Sequence, residues 1–247
     1  MPNPTAAMLV IGDEILSGRT RDANMHYLAG ELARHGIDLC EVRIVSDRHE
    51  KIVAALNDLR ADYNHVFTSG GIGPTHDDIT ADAVAAAFGV ALDIRADARE
   101  ILAQHYARTG LELNAARLRM ARIPDGASLI ANPVSSAPGF TLGNVHVMAG
   151  VPAVFQAMVA ELLPKLEGGA ALFGQSLTIP RGEGEIAESL KALALAFPTL
   201  AIGCYPFQRD GAYGATVVVR GAEKAQVDTA LVQLAALFPE ATEASGA

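Results

Sequence analysis

Residues 6–12 form an unbroken apolar run that stops at Gly12. Residues 22–36 then change period, with Met25, Leu28, Leu32 and Ala33 at helical spacing before Gly36. A continuous apolar run of strand length suits a strand covered on both faces, and the three-to-four spacing suits an amphipathic helix ended by a glycine stop. The alternation repeats: 37–45 predicts a second strand, 48–61 a second helix, and 65–68 a third strand leading into Ser69-Gly70-Gly71-Ile72-Gly73-Pro74. Strands alternating with helices predict an α/β fold, here three αβα layers around a mostly parallel sheet. Past the glycines, Thr80 is expected to N-cap a helix that carries Ala83, Val84, Ala87 and Phe88 and closes at Gly89. A long helical stretch reaches Gly110, and residues 114–121 predict a short helix. Residues 123–143, dense in Pro, Gly, Asn and Ser, should wind between short strands before a last strand at 145–149 and a closing helix at 153–166.

The pattern then restarts. Glu167-Gly168-Gly169-Ala170 reads as a linker, because two glycines follow a helical pattern and a new apolar run begins at Ala171. A strand at 172–179, a helix at 183–196, strands at 200–206 and 214–220 and a helix at 222–238 describe a small α+β unit. The expected domains are therefore 1–168 and 171–240, with the tail after Pro239 frayed.

Composition narrows the partners. A formal net charge of −9 with no basic block argues against nucleic acid, whose phosphates need clustered Lys and Arg. Any anionic ligand must instead be met locally by backbone N–H groups, a helix start or a bound cation. Cys40 and Cys204 lack metal-ligand spacing and read as buried free thiols of a reducing compartment. The first seven residues do not resemble a signal peptide, and no segment approaches the roughly 20 apolar residues that span a bilayer, so a cytoplasmic location is expected.

The chemistry concentrates at 68–80, between a predicted strand and helix, at the sheet edge where parallel α/β folds place ligands. Ser69, Gly70, Gly71, Gly73 and Thr75 let the backbone approach a phosphate closely, and the helix begun by Thr80 adds N–H groups and a positive dipole end. A tight turn packed on itself is the bland alternative. Asp77 and Asp78 repel each other unless solvated, hydrogen-bonded or bridged by a hard cation such as Mg²⁺, while the competing role is to cap the next helix. His76 reads equally as a solvated loop residue. Two further acidic loops, Gly12-Asp13-Glu14 and Ser46-Asp47, should reach the same rim; Asp47 could merely cap the helix that follows it.

These residues carry a resemblance. Gly12-Asp13-Glu14-Ile15-Leu16-Ser17-Gly18, Asp22-Ala23-Asn24, Ser46-Asp47, and Ser69 through Thr75 with Asp78-Ile79-Thr80 resemble the molybdopterin-binding MoaB/Mog family in its CinA-type branch. The likeness continues through Asn114-Ala115-Ala116-Arg117, Met120-Ala121, Pro124-Asp125-Gly126-Ala127, Asn132-Pro133 and Ala137-Pro138-Gly139-Phe140, covering most of the first 165 residues. It implies that Asp47 and Asp78 face the ligand. It also implies metal-dependent hydrolysis of the pyrophosphate in ADP-ribose- or FAD-like dinucleotides; with the adjacent carboxylates read above, the candidate ligands of a divalent ion are Asp47, Asp77 and Asp78, and the candidate catalytic residues Asp47 and Asp78.

The alternatives are molybdopterin binding or adenylyl transfer in molybdenum-cofactor assembly, and nucleotide binding without turnover. The last gains weight where the chain departs from the family pattern, at Met148-Ala149-Gly150-Val151-Pro152-Ala153-Val154. No deamidase or FAD synthase segment follows, so neither activity is expected. In the second domain, Arg181-Gly182-Glu183-Gly184-Glu185 and Tyr205-Pro206 with Arg209-Asp210-Gly211-Ala212-Tyr213-Gly214 resemble the CinA accessory domain, which implies a KH-like arrangement. Homo-oligomerisation is expected from the resemblance and from the apolar helices at 83–88 and 231–238.

Overall fold

The computed structural model describes residues 2–209 and 211–243, so Asp210 of the second-domain motif and the tail 244–247 lie outside the described residues. The chain divides into two compact units, Met1–Gly169 and Ala170–Ala247.

The first unit runs β1 (Thr5–Ile11), a single turn α1 (Asp13–Leu16), α2 (Asn24–His35), β2 (Asp38–Val45), α3 (His49–Asp62), β3 (His65–Ser69) and α4 (Thr80–Phe88). It continues with β4 (Leu92–Ile94), α5 (Ala96–Thr109), α6 (Ala115–Leu118), β5 (Arg122–Pro124), β6 (Ser128–Ile130), β7 (Gly139–Leu142), β8 (Val145–Met148) and α7 (Pro152–Leu162). The six-stranded sheet has the order β2-β1-β3-β8-β7-β6. Its first four strands are parallel, β7 pairs antiparallel with β8, and β6 pairs antiparallel with β7. β4 and β5 pair separately.

The sheet is covered on both sides. Ala7, Leu9 and Ile11 of β1 join a core with Ile52 and Leu56 of α3, Val84 of α4 and Leu102 of α5. Ala6, Met8 and Val10 join another with Leu28 and Leu32 of α2 and Phe155 and Met158 of α7. That two-sided burial explains why β1 is apolar at successive positions instead of alternating. Edge strand β2 is covered less, and its Cys40 is exposed, contrary to the expectation of a buried thiol; both cysteines are free. Helix α4, whose apolarity suggested association, is taken up by its own core through Ala83, Val84 and Ala87.

The second unit runs β9 (Phe173–Ile179), α8 (Glu183–Ala196), β10 (Ala201–Arg209), β11 (Ala212–Gly221), α9 (Lys224–Leu237) and β12 (Thr242–Glu243). The antiparallel order β10-β11-β9-β12 is that of the split βαβ, ferredoxin-like arrangement. Leu177, Ile179, Val217 and Val219 bury against Ile186 and Leu193 of α8 and Leu231 and Leu234 of α9. Here too the apolar helix serves mainly its own core, leaving Val232 and Leu237 exposed. The segment expected to fray is partly held: Thr242 pairs with Thr178 and Glu243 with Leu177. Arg181 adds an ion pair to Glu240. Among the described residues, no helix is long and apolar enough to cross a membrane.

One buried polar group gives the first unit a pH dependence. His146 on β8 is 2% exposed, with Nδ1 3.0 Å from Thr141 Oγ1 and Nε2 3.2 Å from His65 Nδ1. Burial, then the charge of His65, holds its pKa down to about 3. A histidine depressed in the native state takes its proton only on unfolding, so its stabilising contribution is whole above the unfolded value near 6.5 and is lost as pH falls towards 3. We expect the wild type to lose about 2 kcal/mol between pH 7 and pH 5 from this group. Urea titrations followed by circular dichroism should show a flatter pH dependence for His146→Gln; equal slopes would contradict the assignment.

Candidate functional site

The chain leaving β3 turns at Gly70, whose N–H donates to Met148 O at 3.2 Å. Gly70 has φ +109, and a Cβ there would stand 2.2 Å from Ile11 O, so the turn passes against the end of β1 where no side chain fits. Gly71, at φ +67, would place a Cβ 2.2 Å from Thr80 Oγ1. Thr80 is fully buried, donating its hydroxyl to Gly70 O at 2.9 Å and its N–H to Gly71 O at 3.0 Å. This corrects the expected N-cap: Ile79 holds that position, no side chain caps α4, and the Thr80 hydroxyl turns inward because the helix starts beneath the glycines. Two bonds thus staple α4 to the turn. Among the described residues, the N–H groups of Gly71, Ile72 and Gly73 make no hydrogen bond.

Asp78 does not cap α4 either. Its Oδ2 accepts from Thr75 N at 2.8 Å and Thr75 Oγ1 at 2.6 Å, and a Cβ on Gly73 would come within 2.6 Å of that oxygen. The carboxylate therefore closes the Thr75–Asp78 loop through one oxygen, leaving Oδ1 without a protein partner among the described residues. Asp77 is exposed, and His76, its side chain 99% exposed, stands 3.9 Å from it as a solvated loop residue.

Asp47 follows β2, and its Oδ2 accepts from Asp13 N at 2.8 Å. It does not cap α3, which starts at His49 with Arg48 in the N-cap position and no side-chain cap. Burial raises its carboxyl above the ordinary range against the pull of the Asp13 N–H, and the charges of Asp13, Glu14 and Asp77 push the same way as burial. Glu14, in α1, folds over Gly12, where a Cβ would meet Oε1 at 2.6 Å.

These groups share one cavity of about 510 Å³. Gly12, Glu14, Asp47, Gly70, Gly71, Gly73, Asp77 and Asp78 all line it. Four other sequence candidates do not line it: Asp13 holds Asp47, Thr75 holds Asp78, Thr80 staples the turn, and buried Ser69 accepts from Asn24 Nδ2 at 2.7 Å. Met120, Ala137, Val151, Pro152 and Val154 add an apolar part to the lining, so the departing loop supplies surface for a ring rather than charge.

Sequence reasoning missed two contributors. Asn132, 6% exposed, donates to Ser135 Oγ and Ala137 O and accepts from Val134 N and Ser135 N, which fixes the loop carrying Ala137. Arg119 reaches Asp78 O at 3.3 Å, while its buried Nε has no partner and it lines a 20 Å³ recess with Gly71, Ile72 and Gly73. Neighbouring Arg122 is committed to Asp82. Both Asn132 and Arg119 lie in or beside motifs quoted above, yet only tertiary packing brings them to the glycines.

Among the described residues, no three acidic, histidine or cysteine side chains are grouped to hold a metal ion by themselves. The donor set nonetheless fits Mg²⁺, which is commonly held through one or two carboxylates with substrate phosphates completing its shell. Asp47 and Asp78 each have one oxygen fixed by a backbone N–H and one left over.

A sequence model of the family described as "Probable molybdopterin binding domain" matches residues 7–168, and one described as "FAD synthase, middle domain" matches 171–245. A crystal structure of the protein CinA from Thermoplasma acidophilum, described as of unknown function, is 33% identical with a TM-score of 0.60, covering 66% of this chain and 97% of its own. A protein of Pyrobaculum calidifontis is 33% identical over 213 residues, 82% of this chain and 81% of that one. A CinA-like protein of Citrifermentans bemidjiense is 36% identical over 210 residues, covering 81% of this chain and 51% of the relative, so the chain spans about half that relative's length.

Proposed function

The chain belongs to the molybdopterin-binding-domain family in its CinA-like branch, and from that premise we propose that its cavity binds the pyrophosphate of a dinucleotide and hydrolyses it with a divalent cation. One observation carries the reading: Gly71, Ile72 and Gly73, three successive residues whose N–H groups have no partner among the described residues, line the same cavity as Asp47 and Asp78. Half-exposed backbone donors that no protein group claims are open to a ligand, and a phosphate oxygen suits a run of N–H groups between a strand and a helix start. Arg119 adds positive charge beside the same glycines.

Each residue then has a task. The N–H groups orient one phosphoryl group, Thr75 and the Asp13 N–H hold the two carboxylates in place, and the apolar wall covers the base or ring. Asp47 and Asp78 would hold the cation, which supplies charge neutralisation on the phosphoryl oxygens and lowers the pKa of water. Water adds to one phosphorus, the bridging P–O bond breaks, and two monophosphates leave.

The test is incubation with ADP-ribose or FAD and Mg²⁺, Mn²⁺ or Co²⁺, with release of AMP as the expected result. A second reading, binding of a pterin phosphate without turnover, draws on the family's description and the apolar wall. Tight binding with no AMP would favour it and overturn hydrolysis.

A further inference from the structure

Asn24 opens α2 and is 3% exposed. Its Nδ2 donates to Ser69 Oγ at 2.7 Å and Gly150 O at 2.8 Å, tying the ends of β3 and β8 to the helix. A carbonyl oxygen can only accept, so the Gly150 contact fixes which end of the amide is nitrogen. Oδ1 is thereby turned away, and it is buried with no hydrogen-bond partner. An unmade bond at a buried carbonyl costs roughly 1–3 kcal/mol, which asks for a donor that belongs there.

The surroundings say what kind. Asn24 lines a side chamber of about 60 Å³ that shares Ile11, Glu14, Thr20, Gly150 and Pro152 with the main cavity. Asp22 is already engaged by Met25 N, and Ser69 Oγ and Gly150 O by Asn24 itself. The acceptors left over are Asn24 Oδ1, the Glu14 carboxylate, the second oxygen of Asp22 and the Thr20 hydroxyl. The one cation on the wall, Arg21, has Asp22 beside it in the chain. A phosphate would face Glu14 and an acceptor it cannot satisfy. A metal ion would find no group of three acidic, histidine or cysteine side chains among the described residues. Two hydroxyl donors match Asn24 Oδ1 and Glu14, and a carboxylate at the carboxyl end of an α/β sheet can accept from a ribose hydroxyl.

We propose that this chamber is a subsite for the vicinal diol of a ribose whose diphosphate lies on the glycine turn, with Asn24 Oδ1 and Glu14 accepting from the two hydroxyls. The inference rests on the phosphate reading above and adds the direction of the ligand: sugar towards α2, phosphate towards α4.

Calorimetry with methylenediphosphonate, ADP and 2′,3′-dideoxy-ADP in Mg²⁺ separates the two layers. Wild type should bind ADP about tenfold tighter than the dideoxy analogue, the scale of a hydroxyl bonded to a charged acceptor. Asn24→Ala should shrink that ratio to threefold or less while methylenediphosphonate binds within twofold of wild type. Glu14→Gln, on a half-buried side chain, should shrink the ratio likewise and serves if Asn24→Ala misfolds. Equal affinity of wild type for ADP and its dideoxy analogue overturns the chamber and leaves the phosphate cradle standing. Failure to bind methylenediphosphonate overturns the cradle and the chamber with it.

Discussion

Gly71→Ala is expected to destabilise the first unit by about 3 kcal/mol and to abolish phosphate binding. The left-handed backbone alone costs an alanine about 1–2 kcal/mol. The added Cβ would stand 2.2 Å from Thr80 Oγ1, which is buried and bonded to Gly70 O, so relief requires moving the start of α4 or breaking that bond. Overpacking of this kind adds about 1–3 kcal/mol. Gly89 supplies the control, having the same φ of +67 with nothing within 4 Å of its virtual Cβ. Gly89→Ala should therefore cost only the backbone part and leave ligand binding intact. Denaturant titration of both variants checks the difference, and pairing Gly71→Ala with Thr80→Ala should recover part of the loss. Equal costs at the two glycines would mean that the turn is not stapled as described.

The fold was legible because its signals were local. Continuous apolar β1, the helical spacing of α2 and the strand-to-glycine junction at Ser69 each report burial that the sequence pattern encodes directly. Helix starts were less legible. Thr80 and Asp47 have good capping chemistry, but the tertiary partners Gly70 O and Asp13 N claim their oxygens, and no local pattern announces such competition. The short strand β12 escaped notice for a similar reason: two residues carry no periodicity, and their order comes from pairing with β9.

For the site, the acidic loops and the glycine turn were legible as separate segments, because each follows a parallel strand and such loops share one sheet edge. Which groups point in and which brace from behind was not. Thr75 and Asp13 read as ligand residues yet act on Asp78 and Asp47, whereas Asn24 and Arg119 read as helix residues yet have buried polar atoms without partners. Unsatisfied atoms are visible only once the chain is folded.

The second large effect is at Asp78. Asp78→Asn preserves shape and removes the charge, and its amide oxygen can still accept from Thr75, so the loop and the fold should survive with little change in stability. If the carboxylate holds a cation against the pyrophosphate, turnover should fall by about a hundredfold or more, in line with losing a principal electrostatic contact to the reacting group. Asp77→Asn, at an exposed neighbour on the same rim, should cost far less. The decisive measurement is AMP release from ADP-ribose in Mg²⁺ by wild type, Asp78→Asn and Asp77→Asn, alongside their thermal midpoints. Metal-dependent release by wild type, lost in Asp78→Asn at an unchanged midpoint, is the predicted result; hydrolysis by Asp78→Asn at the wild-type rate would contradict the assignment.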